Sequence, residues 1–447
     1  MNEDFLKSAG IIALEAGIRR GVMTEVYLLS SCQLNIEVAD SKVETLIEAK
    51  ERGMGIRIIN DGKLGFAYTC DLSAEAILEA VNDAYNITSY TTFDKYNQLP
   101  VGPYEYEVMQ LYDQKIKETT VEEKIDMARQ MESAALAADS RISIIERAGY
   151  EDTEYISVIM NTNGLYASGQ GNFSGMYIYL VAEENGDAQT GFAMSLKKWI
   201  KDLEPGAVGR EAAKKAVRSL NARTIKSANL TCIMEPYVVT QFLGILAKMV
   251  DAETVQKGKS LFAGKIGQAV ASDKITLIDD STWPDGAGSF PFDGEGVPAQ
   301  RNLVIENGIL KTFLYDTYTA AKGGVSSTGN AQRGSFRSLP EAGPSNFIIL
   351  PGSNTLESLI SDISKGFYIT DVMGMHTTNP ISGDFSVGAA GIMIENGYLA
   401  YPVRGVTIAG NLIDLLQDID AVGSDLKFYG SKGAPAIRLK NLCIGGE

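Results

Sequence analysis

Histidine is nearly absent: the 447-residue chain holds one, His376. Imidazole is a usual zinc ligand and the usual base beside a catalytic serine or cysteine. Any zinc site would have to manage without a pair of imidazoles, and any triad would have to converge on position 376. Cysteine is scarce too. The four (Cys32, Cys70, Cys232 and Cys443) lie far apart and form no C-x-x-C pair. A chain of this length needs no disulfide framework, so reduced thiols and a cytoplasmic location are expected. Positive charge is in deficit, with 40 Lys and Arg against 56 Asp and Glu and a net charge of −16. That balance argues against a grip on phosphate backbones and against attraction to anionic membranes. No nucleic acid and no membrane are expected as partners. No apolar run reaches the roughly 18 residues that span a bilayer. The acidic opening MNEDFLK lacks the apolar core of a signal peptide.

Several motifs are missing as well. There is no H-E-x-x-H and no G-x-x-x-x-G-K-[ST]. Gly53-Met54-Gly55 enters a strand pattern instead of following one, so it is not a dinucleotide fingerprint. Gly323-Gly324 and Gly329, in GGVSSTGNAQRG, could form a backbone anion nest, but a loop at an interface is the simpler reading.

What is present is ordinary globular material, 45% hydrophobic and 21% charged, at a length that predicts two or three domains. Residues 2–20 carry apolar side chains at helical spacing, and residues 24–69 switch to period two around the hairpin signal Asn60-Asp61-Gly62. Ser73 can cap a following helix. Residues 86–118, with Pro100 and Pro103, read as an irregular connection. Thr120-Val121-Glu122-Glu123 is a capping box before a helix to about residue 138. Strands follow over 141–198, broken at Asn163-Gly164 and Asn185-Gly186, and Pro205 opens a helix to residue 220. Residues 221–228 read as a boundary before a strand (230–234), a helix (236–250) and a long glycine-rich β tail. The triplet Glu-Asn-Gly recurs at 184–186, 306–308 and 395–397, and the last two look like equivalent hairpin turns. The expected fold class is α+β: an N-terminal α+β domain (1–222, in helix-plus-sheet units of about 1–100 and 105–222) and a larger β-rich C-terminal domain (226–447).

Two places invite a chemical reading. Residues 373–411 hold His376 in a polar loop (Thr378, Asn379, Ser382, Asp384) that runs into an apolar hairpin. A loop laid on a rigid hairpin is a common binding surface. Ser382, Ser386 and Asp384 neighbour His376, but adjacency on a loop does not make a triad. Asp279, Asp280, Asp285, Asp293 and Glu295 cluster in a Gly/Pro-rich region and could ligate Mg²⁺ or Ca²⁺. The simpler account of them is turn formation.

Four stretches together resemble the TldD/PmbA family, once called modulators of DNA gyrase. They are GMGIRIINDGKLGF (53–66), FDGEGVP (292–298), STGN (327–330) and SGDFSVGAAGIMIENG (382–397), and the likeness covers nearly the whole chain. The resemblance implies a subunit of a cytoplasmic metallopeptidase. Its TldD subunit carries zinc on an H-E-x-x-x-H helix and a late cysteine, and pairs with a TldE (PmbA) paralogue that lacks those ligands. Here the corresponding helix, within 235–250, has no His or Cys. The late cysteine should fall in 428–433, which reads FYGSKG, and Cys443 comes too late. The resemblance is thus to the TldE side: no catalytic residue, no metal and no cofactor in this chain, with zinc in a TldD-like partner. It implies a heterodimer with that paralogue (a homodimer when alone) and small or unfolded peptides as substrates, such as microcin precursors and antitoxins. His376, Thr378, Asn379, Ser382 and Asp384, with Asp293 and Glu295, are then expected to face the peptide cleft. The alternatives are a regulator that binds a protein such as gyrase without proteolysis, or a hydrolase using Mg²⁺ at residues 279–295.

Overall fold

The computed structural model describes residues 3–447. Its N-terminal part runs α1 (Glu3–Arg20), β1 (Met23–Ala39), β2 (Lys42–Asn60), β3 (Lys63–Thr69) and α2 (Ala74–Ile87). After a connection come α3 (Gln114–Glu118), α4 (Val121–Ala138), β4 (Ile142–Asn161), β5 (Tyr166–Glu184), β6 (Asp187–Lys197) and α5 (Pro205–Val217). With the short α3 set aside, the order helix, three strands, helix occurs twice. The two units share one six-stranded sheet of order β3-β2-β1-β4-β5-β6. Its seam is the antiparallel pairing of β1 with β4, from Glu25↔Asn161 to Val38↔Ala148.

The period-two pattern of β1 explains how the helices sit. Val26 and Leu28 are buried with Leu6 and Ala13 of α1 and Ile77 of α2. Ile36 and Val38, on the same face of the strand, are buried with Ile125 and Ala128 of α4 and Ala212 of α5. All four long helices therefore cover one face of the sheet. The last helix of each unit lies close on an edge strand. A Cβ on Gly65 of β3 would stand 1.9 Å from the Ala84 carbonyl oxygen, and one on Gly191 of β6 2.2 Å from that of Ala212.

The local signals hold. Ser73 Oγ accepts the Ala76 N–H at 3.4 Å, and the Thr120/Glu123 capping box is formed. Asp61-Gly62 adopts positive φ (46° and 72°) between β2 and β3. Two differences stand out. The period-two stretch 24–69 forms three strands, of which β1 and β2 are unusually long, because pairing with β1 keeps 42–51 extended although those residues are largely exposed. The connection expected over 86–118 contains α3, capped by the Asp113 carboxylate on the Lys115 N–H at 2.9 Å.

The C-terminal part contains β7 (Ala228–Met234), α6 (Pro236–Val250), α7 (Ala252–Gln256), β8 (Leu277–Asp280), β9 (Arg301–Glu306), β10 (Ile309–Leu310) and α8 (Thr317–Gly323). It continues with β11 (Ala331–Gln332), β12 (Glu341–Ala342), β13 (Phe347–Ile349), α9 (Leu356–Ile360), β14 (Lys365–Met373), β15 (Asp384–Glu395) and β16 (Tyr398–Asn411). It ends with α10 (Leu412–Asp418), β17 (Ile419–Val422), β18 (Lys427–Tyr429), β19 (Lys432–Ala434) and β20 (Ile437–Gly445). One sheet has the order β16-β15-β14-β7-β20-β17, and β16 also pairs with β20, closing a barrel. The other has the order β10-β9-β8-β13-β19-β18. The fold class is α+β, as expected.

Helix α6 shares one core with both sheets. Val238, Phe242, Leu243 and Leu246 are buried with Phe367 and Phe385 of the barrel and with Leu277 and Phe347 of the second sheet. This is why its sequence is apolar nearly all round. All three Glu-Asn-Gly triplets form strand-linking turns: Asn185, Asn307 and Asn396 have φ of 53°, 47° and 50°, each followed by a left-handed glycine.

Candidate functional site

The helix-free face of the N-terminal sheet meets the C-terminal part through a buried ionic cluster. Arg57 Nη2 of β2 donates to Glu25 Oε2 of β1 at 2.6 Å and to Glu295 Oε1 at 2.8 Å. Glu295 Oε2 accepts the Thr317 N–H at 2.8 Å, at the start of α8. Arg333 pairs with the other oxygen of Glu25, donates to the Gly294 carbonyl at 2.6 Å, and lies over the Tyr27 ring at 5.0 Å. Asp293 accepts the N–H groups of Glu295 and Val297, each at 2.9 Å, and of Ala331 at 3.0 Å. Burial and the neighbouring Glu295 charge push Asp293 up from the ordinary carboxyl value. Burial pushes Glu295 up too, but Arg57 and the Thr317 hydrogen bond outweigh it and hold Glu295 low. The irregular connection packs on the same junction: Tyr106 meets the Phe292 ring at 5.4 Å and its hydroxyl donates to the Gly296 carbonyl at 2.8 Å.

This placement corrects part of the sequence reading. Asp293 and Glu295 do not face an open cleft; Glu295 is fully buried, and the oxygens of both are engaged inside the junction. The stretches 53–66 and 292–298 meet here as structural parts. The stretch 327–330 is another: Asn330 Nδ2 donates to Asp279 Oδ2 at 2.6 Å, and its Oδ1 accepts from Thr328 Oγ1 at 2.7 Å.

The 373–411 loop lies apart from that cluster. His376 is exposed in a single 3-10 turn, Met375–Thr377. Among the described residues it makes no hydrogen bond or ion pair with Ser382, Asp384 or Ser386. The loop is held from within. Asn379 Oδ1 accepts the N–H groups of Ile381 and Ser382 at 2.9 and 3.2 Å, and Asn411 Nδ2 donates to Asp384 Oδ1 at 2.9 Å. The Asn411 and Ser382 side chains hold the Asp384 carboxyl low. Thr378 is buried with its hydroxyl unpartnered. No hydrogen bond or ion pair among the described residues joins this loop to Asp293 or Glu295.

The structure joins two other segments remote in sequence. The β18–β19 hairpin stands against one stripe of α6. Tyr429 and Lys432 are directly opposed across the hairpin, so both side chains project from one face. The Tyr429 ring meets Tyr237 edge-on at 5.1 Å. Lys432 lies over Gly244, where a Cβ would stand 3.2 Å from its Nζ. Tyr237, Gln241 and Gly244 follow one another at i, i+4 and i+7, and are half-buried on a mostly buried helix. At the head of the stripe Glu235, the N-cap residue, receives Arg218 Nη1 and Nη2 at 3.2 and 2.8 Å. Burial pushes the Tyr237 and Tyr429 hydroxyls up, so both stay protonated donors near neutral pH.

By the family resemblance, helix α6 and residues 428–433 are the segments expected to carry zinc ligands in a TldD subunit, and here they pack together. The donors present are two phenols, an amide and an ammonium, and the carboxylate at the head of the stripe, Glu235, is held by Arg218. Zinc needs imidazole, thiolate or free carboxylate. Among the described residues no group of three or more His, Cys, Asp or Glu is disposed to hold a metal. The residues do not fit zinc. The sequence carried one overlooked signal: a glycine in the middle of a helix costs about 1 kcal/mol against alanine and usually has a packing reason. Lys432 supplies that reason for Gly244.

Comparison with known proteins adds the following. Models of PmbA/TldA metallopeptidase domain 1, the central domain and the C-terminal domain match residues 24–88, 114–220 and 227–446. The metalloprotease PmbA of Escherichia coli O157:H7 is 28% identical, over 99% of this chain and 96% of that protein. A metalloprotease TldD homolog of Haemophilus influenzae is 28% identical over 89% of this chain and 87% of that one. A Thermotoga maritima protein named for modulation of a DNA gyrase superposes with TM-score 0.90 at 30% identity, covering 98% of this chain and all of that one. TldE from Thermococcus kodakarensis superposes with TM-score 0.89 at 25% identity, covering 97% and 100%.

Proposed function

The chain belongs to the PmbA/TldD metallopeptidase family, and on that premise we propose that it is the zinc-free subunit of a two-chain peptidase. The observation that carries this reading is the donor set between α6 and the β18–β19 hairpin. A peptidase of this kind needs a metal to polarise the scissile carbonyl and to lower the pKa of its water. Here an ammonium, an amide and two phenols occupy that place. The chemistry then belongs to a TldD-like paralogue carrying zinc, and this chain supplies part of the wall of a shared peptide cleft. The exposed 376–384 loop is a second part of that wall. Substrates are small or unfolded peptides, whose extended backbones can pair with a strand edge.

Co-expression with a TldD-like paralogue tests the proposal. Native mass should show a one-to-one pair. Zinc and cleavage of unfolded peptide should follow the paralogue and be absent from this chain alone. Stoichiometric zinc with chelator-sensitive cleavage by the isolated chain would refute it. Stable association with gyrase in the absence of the paralogue would favour the regulatory reading, to which the name of the Thermotoga protein points.

A further inference from the structure

Lys432 is a half-buried residue without an acid partner. Among the described residues its side chain makes no ion pair or hydrogen bond, in a chain whose net charge is −16. The groups beside it are further donors that no protein group engages: the Tyr237 and Tyr429 hydroxyls and the Gln241 amide make no side-chain hydrogen bond among the described residues. Two elements hold this set in place. The hairpin register puts Tyr429 and Lys432 on one face, and the absence of a Cβ at Gly244 lets Lys432 lie on the helix. Nearby acids do not neutralise it. Glu235 is taken by Arg218 at 2.8 Å and Glu211 by Lys215 at 2.9 Å, and Asp371, whose charge acts on the Tyr237 hydroxyl, accepts the Val372 N–H at 2.9 Å and pairs with no cation among the described residues.

We propose that the α6–hairpin groove binds a carboxylate of an extended peptide, with the Lys432 ammonium as the fixed counter-charge and Gln241, Tyr237 and Tyr429 as flanking hydrogen-bond donors. The proposal names a recognition element within the peptide cleft described above and rests on that reading. The groove grips where a zinc site would cut. A fixed ammonium attracts a carboxylate and neither activates water nor polarises a scissile bond as a metal does. Held this way, a peptide is anchored at one end while its chain extends toward a partner's catalytic centre. The carboxylate has two possible sources, the C-terminus of the peptide or an acidic side chain within it.

The test uses the full chain, alone and paired with the paralogue. The probe is a fluorescein-labelled, unstructured ten-residue Gly/Ser peptide with one internal Glu and a free C-terminus. Three companions carry a C-terminal amide, Glu→Gln, or both. Anisotropy should show that one of the two carboxylates matters, its loss weakening binding about tenfold or more. Lys432→Gln should bind all four peptides with the weaker affinity. Gly244→Leu, which displaces the ammonium by a different route, should do the same. Thermal melting and pairing with the paralogue check that both variants fold. Equal binding of the four peptides by the wild type, no binding of any, or unchanged discrimination in Lys432→Gln would overturn the inference. So would loss of pairing in Lys432→Gln with discrimination intact, since the ammonium would then serve the subunit interface. Zinc content and pairing of the wild type judge the subunit proposal separately, so the two can fail independently.

Discussion

Removing Arg57 should be among the most damaging single changes in the molecule. Its guanidinium bonds Glu25 and Glu295 at 2.6 and 2.8 Å, and all three side chains are nearly inaccessible. Burial alone would push Arg57 down, but the two carboxylates reverse that and hold it charged. In Arg57→Met, Glu25 keeps Arg333 and Glu295 keeps the Thr317 N–H. Glu295 is then a buried carboxylate with no cation in contact. Breaking such a pair costs about 3–5 kcal/mol, a large share of the roughly 5–15 kcal/mol that holds a domain together. The cost should depend on pH with a definite sign. In the wild type Glu295 is held low, so its contribution is present above the unfolded carboxyl value and is lost only as pH falls through the lower folded value. In the variant Glu295 should be pushed up instead, and the deficit should shrink as pH falls from 8 toward 5. Urea unfolding at those two pH values measures both effects. Adding Glu295→Gln should recover about 2 kcal/mol or more, because the amide can still accept from Thr317 and carries no charge. A loss below about 1 kcal/mol, or no recovery in the double variant, would refute the view that this cluster carries charge-specific energy.

Three further outcomes are expected. Burial pushes Asp279 up to about 7 despite donors from Asn330 and Ser345. Its carboxyl carbon should titrate near that value by NMR, and its contribution to stability should fall as pH rises from the unfolded value toward about 7. Thr120→Ala removes the hydroxyl that accepts the Glu123 N–H in the capping box of α4 and leaves the backbone N–H of residue 120 donating to Glu123, which should cost about 1 kcal/mol in denaturant unfolding. His376→Ala should change stability by less than about 0.5 kcal/mol, since the side chain is exposed and unpaired.

Much of the fold was legible along the chain. Caps at Ser73 and Thr120, left-handed turns at Asp61-Gly62 and at the three Glu-Asn-Gly triplets, and the apolar run of α6 are read within a few residues of backbone. Two helix-plus-sheet units were visible, but their shared helix, three strands, helix order and their fusion through β1 and β4 were not. Antiparallel pairing between residues more than a hundred positions apart leaves no local mark. The acids at 293 and 295 show the same limit. Asp-Gly-Glu-Gly reads as an exposed turn, and only the arrival of Arg57 and the N-terminal sheet makes it a buried junction.

The sequence by itself determined the elements, their ends, the family likeness and the shortage of zinc donors, because these follow from residue identity and from contacts within a turn or two. Only the tertiary structure decided which charges are buried, that the barrel closes through β16 and β20, and that Lys432 lies on Gly244. Those outcomes depend on which distant segments pack together, and packing is set by the whole buried surface at once.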